Sequence, residues 1–381
     1  MRKTNKRSGV LTLCQWRIVL FLFILSQISC TNQEKTTGTS VEIYNINKSA
    51  LFEKYAVVSA HPLASEIGAQ VLADGGNAVD AAIAVQFALA VCYPVAGNIG
   101  GGGFMLYRAA DGKFEALDFR EKAPLAAHRD MYLDSEGELV NGLSLQGHLA
   151  SGVPGTVDGM WRAFNKLSKL KDWSRLLLPA IELAEQGFAI SSQEAHWLNR
   201  YHEYFIRVNE IKPVFVKDEQ WNTGDTLVQP ELAKTLKTIA EEGREGFYSG
   251  KVAAYMLEEM KKGGGIITQE DLTSYKSIWR KPVKGTYGPY TIISMPPPSS
   301  GGVALCQLFN AISAYDIGSL GFHSADAIHL IVEAERRVYA DRAMHLGDND
   351  FYDVPVDQLM DKSYMLDRMS DVKMEMATQS D

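Results

Sequence analysis

Cysteine is scarce in this chain, and its placement excludes a whole class of fold. There are four in 381 residues. Cys14 and Cys30 lie in or at the end of an N-terminal apolar stretch, so only Cys92 and Cys306 remain for the body. A small secreted fold held by disulfides is therefore excluded. Both remaining cysteines sit in apolar helical patterns and read as buried free thiols acting as small hydrophobes. Histidine is also sparse. The eight histidines show no His-Glu-x-x-His or clustered ligand spacing, so a zinc site has no support. Asp348-x-Asp350-x-x-Asp353 lacks the glycine and terminal Glu of a calcium loop and reads as a solvated turn. Basic residues are outnumbered, 38 against 46 acids, for a net charge of −8. That balance argues against broad nucleic-acid binding, whose usual footprint is a basic patch.

Three further absences narrow the chemistry. The glycine run Gly97-Asn98-Ile99-Gly100-Gly101-Gly102-Gly103 has no Gly-Lys-Ser/Thr after it, so it is no Walker loop. It follows a helix pattern and precedes a strand, the reverse of the dinucleotide fingerprint. No Gly-x-Ser-x-Gly surrounds Ser299-Ser300, which reads as a cap and rigid turn. No cofactor is implied by any of these patterns.

The chain lacks any apolar run long enough to span a bilayer, which takes about 20 residues. The longest such run at the N-terminus is 18–29, preceded by five bases (Arg2, Lys3, Lys6, Arg7, Arg17) and no acid. This is the form of a secretory signal. It ends at Cys30, and a polar tract follows, which resembles a bacterial lipoprotein signal with Cys30 as the lipidated residue. A plain secreted protein or an uncleaved anchor are the alternatives. The expected organisation is a signal over 1–30, a polar tether over 31–50, and a body over 51–381. The expected location is the periplasm or cell envelope, with a lipid anchor holding the body at a membrane face.

The body alternates helix and strand signals, which points to one α/β layer structure. Tyr55–Ser59 reads as a short strand and Ala64–Asp74 as a helix broken at Gly75-Gly76. Asn77 caps the next helix, with Asp80 in its first turn. Residues 78–92 are apolar on nearly every face, so that helix is expected to be buried, and Pro94 ends it. Strands over Phe104–Arg108 and Lys113–Phe119 flank an Asp111-Gly112 hairpin turn. Thr156 is expected to cap a helix to about Lys166. Later helices are expected from near Ser174, from a Ser191-x-x-Glu194 capping box, over Pro230–Glu242 and Gly250–Lys262, and from Thr268-x-x-Asp271. Strands follow near Lys281–Gly285 and Tyr290–Ser294, then an apolar helix from Val303. A long helix is expected from Ser324 to His345, and a last one over Val356–Met369. The aromatic-rich segment Trp197–Phe205 reads as packing.

Two features invite a functional reading. Four consecutive glycines in the most apolar region allow close approach, of backbone to backbone or of backbone to ligand. Arg120, at a strand end between Asp118 and Glu121, can hold a carboxylate bidentately or pair locally with one of those acids.

A set of motifs in fixed order goes further. Gly75-Gly-Asn-Ala-Val-Asp-Ala-Ala82, Gly97-Asn-Ile-Gly-Gly-Gly-Gly-Phe104, Asp118-Phe-Arg-Glu121, Ser151-Gly-Val-Pro-Gly-Thr156, Gly224-Asp-Thr-Leu227 and Met295-Pro-Pro-Pro-Ser-Ser-Gly-Gly302 together resemble the large-subunit region of γ-glutamyltranspeptidases, from about Tyr55 to Asp381. The resemblance implies the N-terminal-nucleophile hydrolase fold, an αββα sandwich, incomplete without the small subunit. It implies a precursor that cleaves itself before a threonine. That threonine attacks the γ-glutamyl amide of glutathione with its own α-amine as base, and water or an acceptor amine resolves the γ-glutamyl-enzyme. It implies no metal or organic cofactor. It assigns Arg120 to the substrate's α-carboxylate, and the small subunit as partner. The family's Thr-Thr-His triplet is absent here, so the expectation is a nucleophile beyond Asp381 and a chain inactive alone. The alternatives are a non-catalytic truncated lipoprotein, or a related acylase of the same fold acting on another acyl group.

Overall fold

The computed structural model describes residues 50–379. The signal over 1–30 with Cys30, and the 31–50 tether except Ala50, lie outside the described residues. The body begins at Tyr55.

Two helices open it, α1 (Pro62–Ala73) and α2 (Ala78–Cys92). Asn77 caps α2, accepting from the Val79 and Asp80 amides, while the Asp80 carboxylate takes the Asn77 amide at 2.9 Å. Asp80 is fully buried. A buried carboxylate is tolerated only when it is hydrogen-bonded, and the Ser168 hydroxyl and the Lys169 amide also donate to it. As its composition predicts, α2 is buried on most faces.

The glycine run leads from α2 to a hairpin, β1 (Phe104–Arg108) and β2 (Phe114–Asp118), with Phe104 opposite Asp118 and Arg108 opposite Phe114. A third antiparallel strand, β5 (Ile278–Arg280), adds to β2 with Asp118 opposite Ile278. Between them run α3 (Thr156–Leu167), α4 (Trp173–Gln186), the two-stranded pair β3 (Phe188–Ala189) and β4 (Thr226–Leu227), α5 (Ser192–Arg200), α6 (His202–Val208), α7 (Pro230–Glu242), α8 (Glu245–Tyr248), α9 (Gly250–Lys262) and α10 (Gln269–Ser274). The main core joins α2, α3, α4 and α7 to β2 through Phe87, Leu117, Phe164, Trp173, Leu177 and Leu236.

After β5 come the hairpin β6 (Val283–Tyr287) and β7 (Tyr290–Ser294), then α11 (Gly301–Ile312), α12 (Ala325–His345), α13 (Val356–Leu359) and α14 (Lys362–Arg368). Ala311, Leu330, Ala334, Val338 and Met365 form a second core among α11, α12 and α14. Cys92 and Cys306 are free and buried. Burial pushes the Cys92 thiol up to about 12 and also raises that of Cys306, so neither is a nucleophile at neutral pH.

Four expectations are corrected. Tyr55–Ser59 forms no strand: Val57 packs beside Gly68 and the Ser59 hydroxyl bonds His61 and Ser65, while Val58 is 90% exposed. Thr156 is not the cap of α3. Gly155 holds that position, because a Cβ there would stand 2.1 Å from both Phe119 O and the Tyr275 hydroxyl. The 356–369 helix is two helices, since Asp361 caps a new one by accepting from the Tyr364 amide at 3.0 Å. The 348–353 turn is not simply solvated, because Asp350 takes a bidentate bond from Arg280.

Candidate functional site

Arg120 lies two residues beyond the end of β2, and its backbone is held on every side. Its amide donates to Asp118 Oδ1 at 3.0 Å. Its carbonyl accepts from the Tyr275 hydroxyl at 2.8 Å. One residue before, Phe119 exchanges two bonds with Gly103, and two residues after, Lys122 exchanges two with Val153. Burial raises the Tyr275 phenol well above its ordinary value, so it remains a donor at any physiological pH.

The glycine run is the other half of this clamp. A Cβ on Gly102 would lie 2.5 Å from Phe119 O, 2.7 Å from the Glu121 nitrogen and 2.9 Å from Arg120 Cα. A Cβ on Gly103 would lie 2.9 Å from the Phe119 ring. Gly155 and Gly159 crowd Phe119 in the same way. The segment Phe119–Glu121 thus lies between two glycine surfaces that no other residue type could form. Asn98 joins the two: its Oδ1 accepts from the Gly101 amide and the Thr156 hydroxyl, and Gly101 O accepts from the amides of Gly155 and Thr156. Of the two readings of the run, close packing of backbone on backbone is the one seen here, and the backbone it packs against carries Arg120.

The Arg120 side chain is exposed and makes no hydrogen bond or ion pair among the described residues. The local pairing with Asp118 does not form, because Arg280 has taken that carboxylate. Arg280 Nε reaches Asp118 Oδ2 at 2.8 Å, and its two terminal nitrogens reach Asp350 at 2.8 Å each. Asp350 first, and Asp118 with it, raise the Arg280 guanidinium above its ordinary value, and Arg280 in turn holds Asp350 below the usual carboxylate range. Arg120 is left as an unspent cation, carried on a held backbone, on the wall of a cavity of about 430 Å3. Across that cavity stand Ser300, at the start of α11, and Arg342, near the end of α12. Such a wall is suited to a carboxylate ligand.

The sequence points to Arg120 but not to Arg280, Arg342 or Tyr275, which reach the site from far along the chain. Ser299-Ser300, read as a turn, does border the cavity through Ser300. Among the described residues no group of three or more His, Cys, Asp or Glu could hold a metal ion.

The family model described as gamma-glutamyltranspeptidase matches residues 64–381. The chain belongs to the γ-glutamyltranspeptidase family. It is 45% identical over 334 residues to the glutathione hydrolase proenzyme of Pseudomonas sp. (strain A14), covering 86% of this chain and 58% of that protein. It is 38% identical over 337 residues to the acylase ACY 1 proenzyme of Pseudomonas sp. (strain V22), covering 87% of this chain and 60% of that protein. Superposed on the crystal structure of Helicobacter pylori γ-glutamyltranspeptidase it gives a TM-score of 0.84 at 48% identity, covering 87% of this chain and 95% of that one. The chain thus has the α/β fold of γ-glutamyltranspeptidases, a member of the N-terminal-nucleophile hydrolase class, and covers their large-subunit part. It spans little more than half the length of the curated relatives it matches. Among the described residues the sheets have three, two and two strands, less than a complete sheet sandwich.

Proposed function

We propose that this chain is the large-subunit portion of an enzyme that cleaves γ-glutamyl amides, with glutathione as substrate. Arg120 holds the α-carboxylate of the γ-glutamyl group. The observation that carries this reading is the Arg120 guanidinium, free of partners at the end of a backbone fixed by Asp118, Tyr275 and Gly102. No partner has to be displaced from the guanidinium when the anion arrives.

The nucleophile belongs to the small-subunit part of the same precursor, exposed by self-cleavage before a threonine. The threonine hydroxyl adds to the γ-carbonyl carbon and its α-amine takes the hydroxyl proton. The amide C–N bond then breaks and the leaving amine takes a proton. Water or an acceptor amine releases the γ-glutamyl group from the ester. The partner reading is supported by an apolar stripe on α12: Ile328, Val332 and Tyr339, near i, i+4 and i+11, are 50%, 44% and 60% exposed. A helix stripe of this kind is normally covered. Export, and attachment to the cell envelope through a lipid on Cys30, complete the proposal.

The test is glutathione turnover by residues 31–381 with and without the complementary small-subunit part. Turnover is expected only with it, and turnover by the chain alone would remove the proposed division of labour. A preference for other acyl amides over γ-glutamyl amides would instead favour the acylase reading that the 38% identical relative suggests. For the anchor, a Cys30→Ala chain should lose labelled fatty acid and leave the membrane fraction.

A further inference from the structure

The Arg120 cavity has a second arginine with open hydrogen-bond positions, its guanidinium 5.9 Å from the centre of the Tyr339 ring. Arg342 lines the same cavity, across from Arg120. Its Nε donates to Ser300 Oγ at 3.0 Å, and its two terminal nitrogens have no hydrogen bond or ion pair among the described residues. The remaining arginine of the cavity, Arg280, is spent on Asp118 and Asp350.

Ser300 is placed for this contact by its loop. It occupies the N-cap position of α11 with φ −76° and ψ −20°, yet its side chain makes no capping bond. An N-cap serine ordinarily gives its hydroxyl oxygen to the helix. Here the hydroxyl oxygen accepts from Arg342 instead. The loop packs closely on itself: a Cβ on Gly302 would stand 2.1 Å from Met295 O, and the Ser299 amide donates to Pro296 O. The run Met295–Gly302 thus places one serine against one arginine.

An exposed guanidinium held at one nitrogen and open at two suits a carboxylate. The γ-glutamyl group brings one carboxylate, and Arg120 suffices for it. A γ-glutamyl peptide brings another, at the C-terminus of the part that leaves. We propose that Arg342 binds this second carboxylate and that Ser300 is its positioning residue. The site then selects γ-glutamyl peptides with a free C-terminal carboxylate over γ-glutamyl amides without one. This rests on the γ-glutamyl reading above and adds the class of leaving group.

The test compares two substrates that differ only at that end, glutathione and glutathione with its glycine as the amide. The protein is this chain assembled with its complementary small-subunit part. The intact protein should favour the acid in kcat/KM by roughly tenfold or more, the scale of one charge-assisted bond. Arg342→Gln should bring the ratio close to one, Arg342→Lys should keep part of it, and Ser300→Ala should lower it by a smaller factor. A ratio unmoved by Arg342→Gln, or an equal loss on both substrates in all three variants, overturns the proposal. Turnover of both substrates without discrimination by the intact protein overturns it alone. Turnover of neither overturns the γ-glutamyl reading as well.

Discussion

Asp118 and Arg280 form an ion pair of 2.8 Å with both side chains only 8% exposed. The pair does two things at once. It links β2 to β5 on a diagonal, since Asp118 stands opposite Ile278 and Arg280 opposite Ala116, and it commits the Asp118 carboxylate to Arg280 rather than to Arg120. Removing one member of a buried pair strands the other charge, at about 3–5 kcal/mol. Arg280→Met should therefore destabilise the assembled protein by about that amount in denaturant unfolding. Arg280→Lys should recover only part, since an ammonium cannot bridge Asp118 and Asp350 as the fork does. A loss below about 1 kcal/mol for Arg280→Met would show that the pair is not important to the fold.

Arg120→Ala should separate binding from stability. The side chain touches no partner, so unfolding should shift by less than about 0.5 kcal/mol. In the assembled enzyme the same change should cost ~2–5 kcal/mol of transition-state stabilisation, about 30- to 5,000-fold in kcat/KM for glutathione. Unchanged kcat/KM would take Arg120 out of the site.

The glycine run offers a paired comparison. Gly102→Ala places a methyl against the backbone of Phe119, Arg120 and Glu121, and backbone cannot turn aside as a side chain can. It should cost about 1–3 kcal/mol and lower kcat/KM by displacing Arg120. Two residues earlier, a Cβ on Gly100 would meet nothing within 4 Å, so Gly100→Ala should be neutral to within about 0.5 kcal/mol. Similar behaviour of the two variants would show that close approach at Gly102 does not set the position of Arg120.

These residues also show what could be read from sequence. Caps and turns whose partners lie within four residues were legible: Asn77 with Asp80, Ser191 with Glu194, Thr268 with Asp271, Ser324 with Ala327, and the Asp111-Gly112 turn. Arg120 was legible as a candidate through its place in an ordered set of motifs. Its neighbours were not. Arg280 lies 162 residues from Asp118, Tyr275 lies 155 from Arg120, and Arg342 lies 42 from Ser300. No local pattern marks such contacts. The mistaken cap at Thr156 has the same origin, because the glycine that replaces it answers to Phe119 and Tyr275 rather than to its own helix.

The last prediction concerns pH. Glu333, on α12, is 1% exposed and holds the segment after α14. It accepts from the Thr378 amide at 3.0 Å, from the Thr378 hydroxyl, from Arg336 at 3.0 Å and from Arg337 at 2.7 Å. Arg337 also bonds Asp371. Burial acts to raise the Glu333 carboxyl, but the bonds from Thr378 and Arg337 outweigh it and hold the group down at about 2 against an ordinary 4.5. A carboxyl lowered by folding stabilises the native state fully above its unfolded pKa, and that contribution is lost as pH falls through the folded value. The attachment of residues 369–378 to α12 should therefore weaken progressively from about pH 4.5 down to about 2. Asp371, also lowered through Arg337, titrates in the same direction, so Glu333→Gln is needed to isolate Glu333. That variant should show weaker protection of residues 369–378 from hydrogen exchange at neutral pH, and a flatter response to acid than the parent chain. An identical acid profile in parent and variant would place the sensitivity elsewhere.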